Sequence, residues 1–302
     1  MSPLDQAVEE VRRELQGRYP VLVDTTRWET DGSSISVTGG VLVAAQARTY
    51  LEGLQTHFPD RSIPMPQVLS SLTTPWQDLD WVHLPAGDPL DLHRYPEGED
   101  LQTQWEGPAW LRSFLGEAGQ RRLVQLPDGT LGWADLPRGT AAPPAGPLED
   151  PWQSIRRALP GESFSVPASL DEVVTSARAR LGRPYLWGGN TEQAADCSGF
   201  IQSLIFRGSG LLLPKHTGDQ RRLGQRVPAD GLEPGDLVFV RGREKNLGHV
   251  GLALPSLLEA GECTVIHSCM SRNVVLEEPA SDFLDRYRFT GARRPVAWGA
   301  ST

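Results

Sequence analysis

The sequence has little cysteine: three residues in 302, at positions 197, 263 and 269. An odd, low count gives no disulfide framework and suits a reducing compartment. No stretch approaches the roughly 20 consecutive apolar residues of a membrane span, so no integral membrane segment is expected. Met1 to Gln16 is charged and amphipathic and lacks the apolar core of a signal peptide, which makes the cytoplasm the expected location. Positive charge is not in excess either. The net charge of −9 argues against nucleic acid or an anionic membrane surface as the main partner.

What is present is a chain long enough for two or three domains. Leu4, Val8, Val11 and Leu15 recur at helical spacing, and Tyr19 to Asp24 reads as a strand. Trp28, Asp31 and Gly32 mark a turn into a second strand, Ser34 to Val43. A second helix carries Ala47, Leu51, Leu54 and Phe58 on one face, and a last strand is expected from Ile63 to Leu69. This order predicts a small α+β domain over 1–72. The run Val37-Thr38-Gly39-Gly40-Val41 before a helix resembles the small bacterial BON domain. No catalytic constellation stands out here.

From 73 to 139 short apolar pieces alternate with turn signals such as Pro85-Ala86-Gly87-Asp88-Pro89 and Pro96-Glu97-Gly98. That pattern predicts a small all-β barrel. Its end, Leu123 to Ala134, reads as a hairpin closed at Asp128-Gly129 and resembles the last strands of bacterial SH3-like domains. Trp76, Trp81, Trp105, Trp110 and Trp133 are expected to fill its core, because a barrel this small needs large side chains. Residues 140–165, rich in Pro, Ala and Gly, read as a linker, with Trp152, Ile155 and Leu159 suggesting one short helical turn.

The remaining residues, 166–302, carry the chemistry. Ser169-Leu170-Asp171-Glu172 has the form of a capping box. The helix behind it places Leu170, Val173, Val174, Ala177 and Leu181 on one face and stops before Pro184. After the glycine-rich run Gly182 to Gly189 comes Asp196-Cys197-Ser198-Gly199-Phe200. Phe200, Ile201, Leu204 and Ile205 follow Cys197 at the period of a buried helix face, and Asp196 suits the N-cap. Cys197 is therefore expected on the first turn of a helix, where the positive end of the dipole lowers a thiol pKa. Three strands follow, from Leu237, from Gly248 and from Val265, so the second half reads as an α+β layer with a sheet packed on the Cys197 helix.

A thiol nucleophile needs a base, and the base needs a partner that fixes its tautomer. His249 begins a strand after Gly248, a glycine that permits close approach. His267 lies 18 residues later, on what should be the neighbouring antiparallel strand. His249 is assigned as base to Cys197 and His267 as the group orienting it. Each histidine taken alone fits a structural or surface role better than a catalytic one. Cys269, two residues after His267, shares its sheet face and either approaches the site or fills the core. His249, His267 and Cys269 are also metal-ligand types, but thiolate plus base accounts for more of the sequence, and no metal or other cofactor is expected.

The half from about 166 to 298 resembles the NlpC-type cysteine peptidases of bacterial cell-wall metabolism. The motifs run in order: Pro184-Tyr185-Leu186-Trp187-Gly188-Gly189, Asp196-Cys197-Ser198-Gly199-Phe200, Pro214-Lys215 with Gln220, Pro234-Gly235-Asp236-Leu237-Val238-Phe239, Gly248-His249-Val250-Gly251, Ile266-His267-Ser268 and Gly291-Ala292-Arg293-Arg294. Lys215 stands where the family usually has Arg, and His216-Thr217-Gly218 replaces a small polar run. The resemblance implies a papain-like fold and a Cys197–His249–His267 triad. It also implies Tyr185 and Ser198 in the site, and an oxyanion held by the Cys197 amide near Tyr185. Hydrolysis of the γ-D-glutamyl bond to a diamino acid in peptidoglycan stem peptides follows from the same resemblance. Relatives with SH3-like domains require a free N-terminal L-Ala and act on recycled murein peptides. Asp196 is the candidate to meet that amine, and Trp187 the candidate wall of the subsite. Two other readings stay open: a wall-peptide-binding protein with a vestigial site, and a papain-like amidase or acyltransferase.

Overall fold

Ser2 and Asp5 close a reciprocal capping box at the start of α1 (Pro3–Arg18), whose buried face is Leu4, Ala7, Val8, Val11 and Leu15. The computed structural model describes all residues except 20–21, 76, 78, 116–120, 138–139, 141–146, 244–245, 258–261 and 300–302. It divides into two units, Met1–Asp80 with Ser113–Leu115, and Trp81–Arg112 with Gly116–Thr302.

In the first unit α1 is followed by the hairpin β1 (Arg27–Thr30) and β2 (Ile35–Thr38), then β3 (Gly40–Val41), α2 (Ala44–His57) and β4 (Gln67–Val68). Val11, Leu15, Val41, Ala47, Tyr50 and Leu54 form its core. The two helices form where expected, but the strands differ: Asp24 makes only an isolated bridge to Val41, the first strand forms at Arg27–Thr30, where Trp28 is expected to mark a turn, and the expected Ser34–Val43 strand is split into β2 and β3. The strands are shorter: the segment expected from Ile63 to Leu69 pairs only at β4, and part of the expected Tyr19–Asp24 strand lies outside the described residues.

The chain continues with β5 (Asp80–Leu84), β6 (Leu90–His93), β7 (Leu101–Trp105), β8 (Ala109–Leu115), β9 (Arg122–Gln125) and β10 (Leu131–Ala134), all in the second unit except Asp80 and Ser113–Leu115. The hairpin around Asp128-Gly129 forms as expected. The sheet order is β5-β8-β9-β10-β6-β7, and no β5–β7 pairing closes it among the described residues, so the expected closed barrel is not seen. Trp81 and Trp105 are buried. Trp110 and Trp133 are half-buried, and Trp76 lies outside the described residues.

Of the clearest part of the expected linker, Thr140 to Pro147, residues 141–146 lie outside the described residues. Around Trp152 the chain is packed rather than loose. Trp152 is 1% exposed, its indole donates to the Trp110 carbonyl at 2.9 Å, and the Arg112 guanidinium stacks 4.2 Å from its ring centre. β11 (Arg156–Arg157) and β12 (Phe164–Ser169) come next. No helix forms at Trp152, and Leu159 is exposed.

The rest of the unit comprises α3 (Leu170–Arg178), α4 (Cys197–Ser209), β13 (Leu211–Leu212), α5 (Thr217–Gln220), β14 (Gln225–Val227), β15 (Leu237–Arg241), β16 (Gly248–Pro255), β17 (Cys263–Cys269), β18 (Val274–Pro279), α6 (Ala280–Arg286), β19 (Arg288–Arg294) and β20 (Val296–Gly299). β11 and β12 pair with β13 and β20. The capping-box bond of α3 is not made; Ser169 also ends β12, in register with Gly299. α3 also stops short of the expected length and leaves Leu181 exposed. From there the chain turns along β18, with Gly182 N–H donating to the Val275 carbonyl.

An antiparallel sheet in the order β14-β19-β15-β16-β17-β18 forms the frame of the site. One face packs on α4: Phe200, Ile201, Leu204 and Ile205 meet Val250, Leu252 and Ile266 in one core. Each such side chain contributes about 1.5–3 kcal/mol by leaving water. The other face carries Val238, Val240, Ala253 and Val265 under Phe283 of α6. Two of the dispersed motifs are joined by one ion pair. Arg294 donates to both oxygens of the fully buried Asp236, at 2.8 and 2.9 Å, tying β19 to the start of β15.

Candidate active site

Cys197 is the first residue of α4 because Asp196 caps that helix, accepting from Gly199 N–H at 2.7 Å. The cap carboxylate has further partners. It accepts from Gly188 N–H at 3.0 Å, from the Ser198 hydroxyl at 3.2 Å, and from Lys215 Nζ at 2.7 and 2.9 Å. It therefore fastens the glycine-rich loop to the helix start. Gly188 itself lies at φ +76°, and a Cβ there would stand 2.6 Å from the Leu101 carbonyl of β7. Only glycine permits that approach, which brings the all-β sheet against the loop. Gln102 of β7 reaches His216 at 3.1 Å.

On the sheet, His249 and His267 project to the face covered by α6. Their rings lie 4.9 Å apart, with His249 Nε2 2.8 Å from His267 Nδ1. Phe283 and Tyr287 cover them, the Tyr287 ring 5.3 Å from His249 and the Phe283 ring 4.9 Å from His267. The glycine that allows this packing is Gly251, not Gly248. A Cβ on Gly251 would meet Val265 at 2.4 Å and the His267 Cβ at 3.3 Å, whereas Gly248 has open space with Thr217 at 4.0 Å.

Cys197 and His249 line one cleft of about 1010 Å³, together with Tyr185, Trp187, Ser198 and Thr217. His267 lies behind His249, with no exposed surface. Trp187 is 54% exposed and forms an aromatic wall. Burial pushes the Tyr185 hydroxyl pKa up, and the nearby Cys197 and Asp196 push it further; it stays a protonated donor. Cys269 is buried against Ser271 and Tyr287, and Cys263 is half-buried at the start of β17. Among the described residues no group of three or more His, Cys, Asp or Glu side chains is arranged to hold a metal.

The electrostatics run against the sequence expectation for the thiol. Burial pushes Cys197 up to about 11, and the Asp196 charge adds to this. Hydrogen bonds from Val250 N–H and Thr217, and the charge of Lys215, pull back less. The pull of the helix dipole is outweighed because Cys197 is largely buried, at 8% exposed. Burial, then His267, push His249 down to about 3. At neutral pH these shifts leave a neutral thiol and a neutral imidazole lining the same cleft. Asp196 lines the same cleft, with five contacts on its two oxygens and Lys215 as its counter-charge.

Four residues at the site went unassigned in the sequence: Thr217, Glu278, Arg286 and Tyr287. Glu278 Oε1 lies 2.9 Å from His267 Nε2, and Arg286 holds Glu278 at 2.6 Å. The only sequence signal for any of them was the departure from the family pattern at 216–218.

Residues 182–294 match the NlpC/P60 family. The murein DD-endopeptidase/LD-carboxypeptidase MepS of Escherichia coli is 30% identical over 154 residues, a match covering 47% of this chain and 78% of that protein. The chain belongs to the NlpC/P60 family. The γ-D-glutamyl-L-lysine dipeptidyl-peptidase of Bacillus subtilis is 39% identical over 98 residues, 30% of this chain and 33% of the relative. The match thus spans about a third of that relative's length. Among solved structures, an NlpC/P60 family protein from Bacillus cereus shares 23% identity over 73% of this chain and 65% of its own, with a TM-score of 0.37. In NlpC/P60 terms, the matched segment contains Cys197, both histidines and the cleft loops, and it excludes the two N-terminal regions.

Proposed function

We propose that this protein is a cysteine endopeptidase that hydrolyses the γ-D-glutamyl–diamino acid bond of peptidoglycan stem peptides. The observation that carries the reading is the 2.8 Å bond between His249 Nε2 and His267 Nδ1, beside a cleft that His249 shares with Cys197. That bond leaves Nδ1 as the His249 nitrogen for the thiol proton. Cys197 gives its proton to His249, and the sulfur attacks the γ-carbonyl carbon. The resulting oxyanion takes hydrogen bonds from the Cys197 amide and the Tyr185 hydroxyl. The C–N bond then breaks, the leaving amine takes the proton from His249, and a γ-glutamyl thioester remains on Cys197. Water, deprotonated by His249, hydrolyses the thioester and restores the thiol.

We take the N-terminal α+β region and the all-β region as BON-like and SH3-like accessory parts, and the setting as cytoplasmic turnover of murein peptides. Preference for a free N-terminal L-Ala loses its candidate reader, since Lys215 neutralises Asp196. The test is a mass-spectrometric digest of L-Ala-γ-D-Glu-diaminopimelate, the same peptide N-acetylated, and intact muropeptides, with Cys197→Ala as control. Release of diaminopimelate by the wild type and not by the control is the expected result. An uncut tripeptide with uncut muropeptides would overturn the reading and favour peptide binding or acyl transfer.

A further inference from the structure

His267 stands opposite Leu276 in the β17–β18 ladder, and Glu278 is two residues further on the same face. Such diagonal neighbours are within reach of a long side chain, and here the reach is completed: Glu278 Oε1 is 2.9 Å from His267 Nε2. The second carboxylate oxygen lies 2.6 Å from Arg286. We propose that Glu278 is a positioning residue which, acting through His267, fixes the tautomer of His249 that accepts the thiol proton.

Protons counted along the three groups fix each bond's direction, and the role given to the His249 tautomer rests on the peptidase reading above. Glu278 is ionised. Burial works against its charge, but the bonds to His267 and Arg286 hold it below the ordinary carboxylate range. An ionised carboxylate only accepts, so the His267 proton sits on Nε2. Burial, outweighing the opposing pull of Glu278, holds His267 below its ordinary range, so at neutral pH it is the neutral imidazole, and with its proton on Nε2 its Nδ1 accepts. The group facing that Nδ1 is His249 Nε2, which must therefore donate. A neutral imidazole carries one proton, so His249 Nδ1 is left with a lone pair. Reversing any bond would set two lone pairs or two protons face to face inside a site closed by Phe283 and Tyr287. Arg286 and Arg272 are the other charges acting on Glu278, and both favour its ionised form.

The test uses the full chain with 15N-labelled histidine. In the wild type, imidazole 15N spectra at neutral pH should place the His249 proton on Nε2 and leave Nδ1 bare. Glu278→Gln reverses the relay: Arg286 donates to both carboxylate oxygens, at 2.6 Å to Oε2 and 3.2 Å to Oε1, so the shorter contact draws the amide oxygen to the Oε2 position, and the amide NH2 then faces His267 Nε2. The expected result is a proton on His249 Nδ1, kcat lower by about 100-fold with KM within about two-fold, and alkylation of Cys197 at pH 7 slowed in parallel. A wild-type spectrum with the proton on His249 Nδ1 would overturn the proposal whether or not the variant folds. So would a folded Glu278→Gln protein with unchanged kcat and unchanged 15N spectrum. If no peptide is cut by the wild type, the peptidase reading falls, while the tautomer and alkylation readouts still judge the role of Glu278.

Discussion

Lys215 Nζ lies 2.7 Å from Asp196 Oδ2 and 2.9 Å from Oδ1, with the lysine side chain 2% exposed. This pair is the reason Asp196 reads as a scaffold residue rather than a receiver of substrate amine. Replacing Asp196 by Asn leaves an ammonium buried without its counter-charge, a loss of about 3–5 kcal/mol. Denaturant midpoints should fall accordingly. The ratio of rates on free and N-acetylated tripeptide should stay unchanged; a ratio that collapses in Asp196→Asn would restore the amine-reading role.

Alkylation of Cys197 tests the resting state. With the thiol pushed up to about 11 by burial and His249 pushed down to about 3, the iodoacetamide rate of the free protein should climb through neutral pH into the alkaline range. A plateau already reached at pH 5 would instead reveal a resting thiolate–imidazolium pair. His249→Ala should slow alkylation at pH 7 by at least about 10-fold.

Acid should destabilise the fold through the same histidines. An unfolded histidine takes up a proton near pH 6.5, while folded His249 resists protonation down to about 3 because it is buried, and His267 shifts the same way. Between these values the unfolded chain binds more protons, so stability falls as pH falls. Glu277 and Glu278, both held below their ordinary 4.5 by hydrogen bonds that outweigh burial, act in the same direction but only below about 4.5. Urea midpoints should therefore drop between pH 6.5 and 4.5 in the wild type and drop less in His249→Phe. Equal slopes in that window would exclude the histidines as the cause.

Gly251 has no room for a side chain: a Cβ would meet Val265 at 2.4 Å and crowd His267. Gly251→Val should displace His267 from His249, lowering kcat by about 100-fold or more while Cys197 remains open to alkylation at high pH. A Gly251→Val enzyme with wild-type kcat would show that the His249–His267 contact is dispensable.

Local signals are legible in the chain itself. The cap at Asp196, the apolar spacing of the first helix and after Cys197, the Asp128-Gly129 hairpin and the strand starts at Leu237 and Gly248 are each decided by a few consecutive residues, and each element forms there. The Ser169 capping box does not form, and the pairing of the same residue with Gly299, far away in the chain, is not a local signal.

Element types, the order of the motifs, and the side chains fit for thiol–imidazole chemistry were all set by residue identity and spacing. The partners those side chains meet were set by folding. Glu278 reaches His267 across a strand pair, Lys215 neutralises Asp196 from beyond α4, and Thr217 meets Cys197 from α5. Burial reversed the thiol shift that the helix terminus alone predicts. These outcomes depend on through-space distance and on exclusion of water, and neither is written in the spacing of residues along the chain.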